Sequence, residues 1–272
     1  MELLVNGHKT YCYTGGKPFE AAKPTVVFIH GVLNDHSVWI LQSRYLAHHG
    51  WNVLAVDLPG HCRSQGEAPS SVEEAADFIA ALLDAAGVSR AALVGHSWGS
   101  LIALEAASRL KDRVSHLVLV GTAFPMKVSP ALLETALNEP MKALTMINVF
   151  SRSTLAAPPS VLGPGTWVYG VGMALGRRVL ASNQKVNVFH RGFKACDSYA
   201  NGEAAIQAIT CPVLFVLGAQ DQMTPPKAAQ GIITAARKAG KAVQIASLAV
   251  GHHQMSEAPE EALFAIRDFL KN

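Results

Sequence analysis

A chain of 272 residues with 50% apolar and 16% charged residues is too hydrophobic for a disordered segment, and it lacks the repeats of collagen or a coiled coil. Its 23 Lys and Arg against 20 Asp and Glu leave a net charge of +3, which argues against a nucleic-acid-binding surface. The length fits one large domain, or one domain with an insertion, burying about 73% of its unfolded surface, so a core needs no metal or disulfide support.

In chain order, Glu2 to Val5 and Thr10 to Thr14 flank Asn6-Gly7, a dipeptide that tolerates the positive φ of a two-residue hairpin turn. Short apolar runs rich in β-branched residues follow at Thr25 to Ile29, Asn52 to Val56, Ala91 to Val94, Leu117 to Val120, Pro212 to Leu217 and Val243 to Leu248. Their nearly continuous apolar character predicts parallel strands buried on both faces. Helical patterns lie between them. Ser70 and Ser71 stand in capping-box spacing before Val72 to Ala86, which stops at Gly87. A second helix is predicted over about Pro226 to Ala239, and a last one over Glu260 to Leu270. Strand–helix alternation of this kind predicts an α/β, doubly wound, mostly parallel sheet preceded by a hairpin.

The alternation lapses between Ala123 and Thr210, a span too long for a structureless loop in a compact domain. It is expected to be a largely helical insertion, dividing the chain into a core of residues 1–122 and 211–272 and a cap of residues 123–210. The insertion carries eight Lys and Arg against four Asp and Glu. Such charges either form a solvated face or steer acidic substrates toward a site. Ser153 to Gly176 is uncharged over 24 residues but holds three prolines and five glycines, so no membrane-spanning helix is expected there. Its Val161, Leu162, Trp167, Val168, Tyr169, Met173 and Leu175 could line an acyl pocket or seat the insertion on the core. The N-terminus lacks the basic and apolar regions of a signal peptide. Cys12, Cys62, Cys196 and Cys211 include no C-x-x-C pair and read as reduced thiols of a cytoplasmic protein.

Gly95-His96-Ser97-Trp98-Gly99 follows one predicted strand and precedes the helix-like Ser100 to Leu110. This is G-x-S-x-G in strand–turn–helix context, where a sharp turn exposes the serine hydroxyl at the positive end of a helix. A nucleophilic serine needs a base, and the base an orienting carboxylate. The loops after the last two predicted strands supply Asp221 and His252. Asp221 is preferred to Asp197, which falls in the insertion. His252, directly after Gly251, is preferred to His253. His30 and His96 read as packed core residues, His61, His48 and His49 as turn and surface residues, and Asp57 as a turn residue.

With Ser97, Asp221 and His252 in that chain order, the sequence resembles the α/β-hydrolase superfamily of serine esterases and related enzymes over about Thr25 to Thr122 and Cys211 to Leu270. His30-Gly31 after a strand resembles the family's oxyanion loop. The resemblance implies backbone donors at Val32 and, beside the nucleophile, Trp98. Asp57-Leu58-Pro59-Gly60-His61-Cys62-Arg63-Ser64 resembles a family turn in which glycine is usual where Cys62 stands. The implied activity is hydrolysis of small to medium carboxylic esters through an acyl-enzyme, without cofactor or metal. Lactone, carbon–carbon bond and amide hydrolysis and cofactor-free peroxidase chemistry stay open, as does a ligand receptor with little turnover. A serine at the elbow argues against dehalogenase and epoxide-hydrolase chemistry, for which the family uses an aspartate there. The expected partner is a small ester-like molecule, with neither nucleic acid nor a membrane span involved.

Overall fold

The computed structural model describes residues 1–153 and 168–271. Eight strands form one sheet: β1 (Glu2–Val5), β2 (His8–Tyr13), β3 (Thr25–Ile29), β4 (Asn52–Val56), β5 (Ala91–His96), β6 (Val114–Val120), β7 (Val213–Gly218) and β8 (Val243–Leu248). Their order is β1-β2-β4-β3-β5-β6-β7-β8. β1 and β2 form the antiparallel hairpin, with Val5 opposite His8, and Asn6 and Gly7 take φ of 50° and 79° in the turn. β2 runs antiparallel to β4, and all later pairings are parallel.

Helices α1 (Ile40–His48), α2 (Val72–Ala85), α3 (Trp98–Leu110), α9 (Pro226–Lys238), α10 (Gln254–Glu257) and α11 (Pro259–Leu270) connect or follow the strands. The side-chain alternation of the strands sorts the core into two layers. Val27, Ile29, Leu54, Val56, Leu93, Leu117 and Phe215 pack with α2, α3 and α9 on one face. Val26, Phe28, Val53, Ala55, Val94, Val118 and Leu214 pack with α1 and α11 on the other. The helix starts follow local chemistry: Ser71 Oγ accepts from Glu74 N at 3.1 Å, and the Glu74 carboxylate accepts from Ser70 N at 2.7 Å.

Between β6 and β7 the described residues form five helices: α4 (Pro130–Asn138), α5 (Pro140–Phe150), α6 (Val168–Ser182), α7 (Val188–Ser198) and α8 (Gly202–Ala208). Ala136, Ala143, Leu144, Val179, Phe189 and Phe193 of this segment form a third apolar cluster with Leu33, from the loop after β3. Of the residues expected to line an acyl pocket or seat the insertion, Val161, Leu162, Trp167 and the Val168 side chain lie outside the described residues. Met173 and Leu175 pack against this cluster, and Tyr169 is exposed. Among the described residues no helix is long and apolar enough to cross a membrane.

Two readings need correction. β8 was expected to be buried on both faces, but it ends the sheet and most of its residues are partly or fully exposed. Its apolar composition reflects β propensity at an edge and not burial. His61 is not a surface residue: the turn that carries it folds inward, leaving the ring 1% exposed.

Candidate active site

Strand β5 turns sharply into α3, and Ser97 occupies the corner with φ 53° and ψ −121°, a conformation that L-residues rarely adopt. The strain is held from several sides. Ser97 N donates to Val120 O at 2.9 Å, and Ser97 O accepts from Ser100 N at 2.8 Å. Both glycines of the pentapeptide are sterically required: a Cβ on Gly95 would collide with Gly99 O, and one on Gly99 with Ile29 O and His30 O. Trp98 is the first residue of α3, so its N–H precedes the intrahelical ladder.

The loop after β3 packs directly on this corner, since a Cβ on Gly31 would lie 3.1 Å from Ser97 Cβ. His30 Nε2 accepts from Leu58 N at 3.2 Å, which leaves the ring proton on Nδ1 to donate to Gly31 O at 2.8 Å. Asn34 N also donates to Gly31 O, at 3.3 Å. Because a trans peptide points its C=O and N–H in opposite directions, holding Gly31 O fixes the direction of the Val32 N–H.

Asp221 follows β7 and is 4% exposed. Its Oδ1 accepts from the backbone N–H groups of Met223 and Thr224, both at 2.8 Å. Oδ2 takes the His252 ring, with Nδ1 at 2.8 Å, and Gln254 Nε2 at 3.3 Å. Thr224 Oγ1 lies 2.7 Å from the same oxygen, 2.9 Å from Gly121 O and 3.1 Å from His252 Nδ1. Its single proton can serve only one of these at a time. Burial pushes the Asp221 carboxyl up, but the imidazole and these donors more than offset it and hold the group well below the usual carboxylate range.

The His252 loop is clamped from the inserted segment. His252 N donates to Ser151 O at 2.8 Å, and Glu257 accepts from the backbone of Gly251, His253 and Ser153 at 3.0–3.2 Å. Ser97 and His252 open into one cavity of about 270 Å³, walled by Met126, Ile147, Phe193 and Met223 among others. His253 lines a different, larger cavity of about 400 Å³ that also has Val32 in its lining and shares the Ile147 wall. Asp197 lies in α7, where Oδ1 accepts from Val128 N. The structure thus brings Asp221 and His252 into contact and opens Ser97 into the same cavity as His252, with Trp98 next to the serine in the chain and the Gly31–Val32 loop packed on its corner. Thr224, Gln254, Ser151 and Glu257 were not anticipated. Of these only Thr224 carried a signal, the Asp-x-x-Thr spacing of a side-chain-capped turn.

Among the described residues one acid–imidazole cluster, Asp35, His36 and Asp57, has a spacing that a metal could use. Its oxygens are already engaged: Asp35 Oδ2 by Arg178 Nη2 at 2.6 Å, Asp57 Oδ1 by His36 N at 2.9 Å and His36 Nδ1 at 2.8 Å. The cluster ties the turn at Cys62, which takes φ of 44°, to the rest of the fold.

His61 and His96 are buried, and burial together with neighbouring imidazoles lowers their pKa values to about 4 and about 3. Both native values lie below the unfolded value of about 6.5. Between these limits the unfolded chain binds protons that the native chain refuses, so stability is complete above pH 6.5 and falls as the pH drops. Each ring contributes about 2 kcal/mol of loss between pH 7 and pH 5. Urea denaturation at the two pH values should show the drop, and His61→Gln should lessen it.

The comparisons with known proteins agree with this fold. A family model described as the alpha/beta hydrolase fold matches residues 24–158. A pimeloyl-[acyl-carrier protein] methyl ester esterase of Neisseria meningitidis serogroup C is 30% identical over 223 residues, 78% of this chain and 80% of that protein. The lipase LipV of Mycobacterium tuberculosis is 38% identical over 100 residues, 36% of this chain. Matches to the first curated relatives are short, covering 26%, 37% and 36% of their lengths. The crystal structure of an enol-lactonase from Burkholderia xenovorans superposes over the whole of both chains with a TM-score of 0.82 at 22% identity, a likeness of fold. With a parallel sheet, a strained serine between β5 and α3 and an Asp–His pair after β7 and β8, the chain belongs to the α/β-hydrolase superfamily.

Proposed function

We propose that this protein is a serine hydrolase that cleaves small to medium carboxylic esters through an acyl-enzyme. The observation that carries the reading is the buried Asp221–His252 pair, 2.8 Å apart, opening with Ser97 into one cavity. Ser97 is the nucleophile and His252 the general base. Asp221 accepts a hydrogen bond from Nδ1–H, which keeps the proton on Nδ1 and leaves Nε2 free to take the serine proton. The N–H groups of Val32 and Trp98 receive the oxyanion, each worth on the order of 3–4 kcal/mol of barrier. His252 then returns its proton to the leaving alcohol, and water activated by the same ring releases the acid. The serine attacks, bonds and leaves in turn without a cofactor taking part in this scheme.

The ester class draws support from the methyl ester esterase, matched over four fifths of its length. Lactone opening would use the same attack. Residues 123–210 serve as a cap on a core of residues 1–122 and 211–272, since Met126, Ile147 and Phe193 of that segment wall the serine's cavity. Four free thiols fit a reducing, cytoplasmic compartment.

A fluorophosphonate probe tests the reading. Stoichiometric labelling of Ser97, with turnover of p-nitrophenyl acetate to octanoate that is lost on labelling, is the expected result. A folded sample that neither labels nor turns over any ester or lactone of such a panel overturns it, and tight ligand binding without turnover would point to a receptor.

A further inference from the structure

The larger cavity, about 400 Å³, holds a cation that the ester reading does not use. Arg152 lies just after α5 and is only 8% exposed, yet it is among the residues that line this cavity. Nη1 donates to Ser256 Oγ at 3.2 Å, while Nε is buried with no partner. Among the described residues no carboxylate stands within ion-pairing distance of it. Glu257 is close enough to favour its charge, but both Glu257 oxygens are committed to backbone N–H groups of Gly251, His253 and Ser153. Burial pushes the Arg152 pKa down, and burial, with the Arg152 charge second to it, lowers that of His253 in the same cavity lining. A buried guanidinium with an open donor is an expensive arrangement unless an anion completes it. The other arginine of the cavity, Arg178, is already paired with Asp35 at 2.6 Å.

The position of this cation relates it to the reacting groups. Ser151 O accepts from His252 N, and a Cβ on Gly251 would lie 2.8 Å from Arg152 C, so Arg152 is fixed to the loop that carries the base. Val32, the proposed oxyanion donor, lines this cavity, and so do residues of α5 and α6, with Ile40, Leu41, Leu144 and Val171 giving it apolar walls. An acyl chain whose carbonyl oxygen meets the Val32 N–H has this cavity beside it, across the Ile147 wall that both cavities share.

We infer that the acyl group of the substrate ends in a carboxylate, which the Arg152 guanidinium binds together with Ser256 in this cavity. The inference rests on the ester-hydrolase reading above and names its substrate class: half-esters of dicarboxylic acids, or the equivalent lactones bearing an acid. Guanidinium is suited to this task, since its planar fork matches a carboxylate and it stays charged when buried.

The test compares p-nitrophenyl hemiesters of six- to eight-carbon dicarboxylic acids with the p-nitrophenyl esters of the monocarboxylic acids of equal length. With wild-type protein, kcat/KM should favour the acid-terminated member by about 10–100-fold at one or more lengths, the worth of a charge-assisted hydrogen bond. Arg152→Gln should erase that preference, raising KM for the acid-terminated ester more than it lowers kcat, and Arg152→Lys should restore part of it. If the variants fold poorly, free dicarboxylates should still inhibit the wild-type protein better than monocarboxylates of equal length. Neutral esters turned over at Ser97 with no preference for the acid-terminated series would overturn this inference and leave the hydrolase reading intact. A protein that turns over neither series and does not label at Ser97 would overturn both.

Discussion

Replacing His252 by alanine is expected to lower kcat on short p-nitrophenyl esters by on the order of a millionfold, as loss of the base does when nucleophile and base act as one unit. The serine would keep its strained corner, because that corner is held by Val120 O, Ser100 and the close packing around Gly95 and Gly99, none of which involves the imidazole. What disappears is the acceptor for the hydroxyl proton. Fluorophosphonate labelling of Ser97 should slow in parallel. His253→Ala is the internal control. That ring makes no contact with Asp221 and lines the larger cavity, so its loss should alter acyl preference and leave most of the rate. A protein that tolerates His252→Ala but loses activity with His253→Ala would overturn the assignment.

Much of this pairing was legible in the sequence because it depends on local chemistry repeated in a fixed order. Buried parallel strands announce themselves as unbroken apolar runs, as Thr25–Ile29 and Asn52–Val56 do with every residue buried. The glycines around Ser97 mark a turn that only glycine can line. Asp221 and His252 follow directly because each stands at the carboxyl end of a strand, where the sheet opens a crevice. Val243–Leu248 misled in one respect, since β-branched composition cannot separate an edge strand from a central one.

What stayed hidden depends on contacts between residues far apart in the chain. Nothing near His61 says that its turn folds under the His30 ring, 5.2 Å away. The clamp formed by Ser151 and Glu257 joins positions more than a hundred residues apart and includes backbone groups, which have no side-chain identity to read. Arg152 illustrates the limit well. In the sequence it is one of eight positive charges in a segment whose simplest reading is a solvated face, and only its burial sets it apart.

Asp221→Asn should reduce kcat by on the order of ten-thousandfold with little change in KM, and the reason lies in which atom the turn demands. Met223 N and Thr224 N both donate to Oδ1, so the new amide must place its oxygen there. Its NH2 then occupies the Oδ2 position and faces His252 Nδ1, 2.8 Å away, as a donor. To avoid opposing donors the imidazole moves its proton to Nε2, and a ring protonated there cannot accept from Ser97. The surroundings can absorb the change: Gln254 donates to Oδ2 now, while its own Oε1 is buried without a partner and can turn to accept from the new amide. Loss of rate without loss of fold is therefore expected. Acid denaturation supplies an independent check. The native Asp221 pKa lies below its unfolded value of about 3.8, so the stability it contributes is present above that pH and is lost as the pH falls toward the native value. The stability of the wild type relative to Asp221→Asn should thus fall as the pH drops below about 4. Full activity in the variant would show that this carboxylate does not set the tautomer of the base.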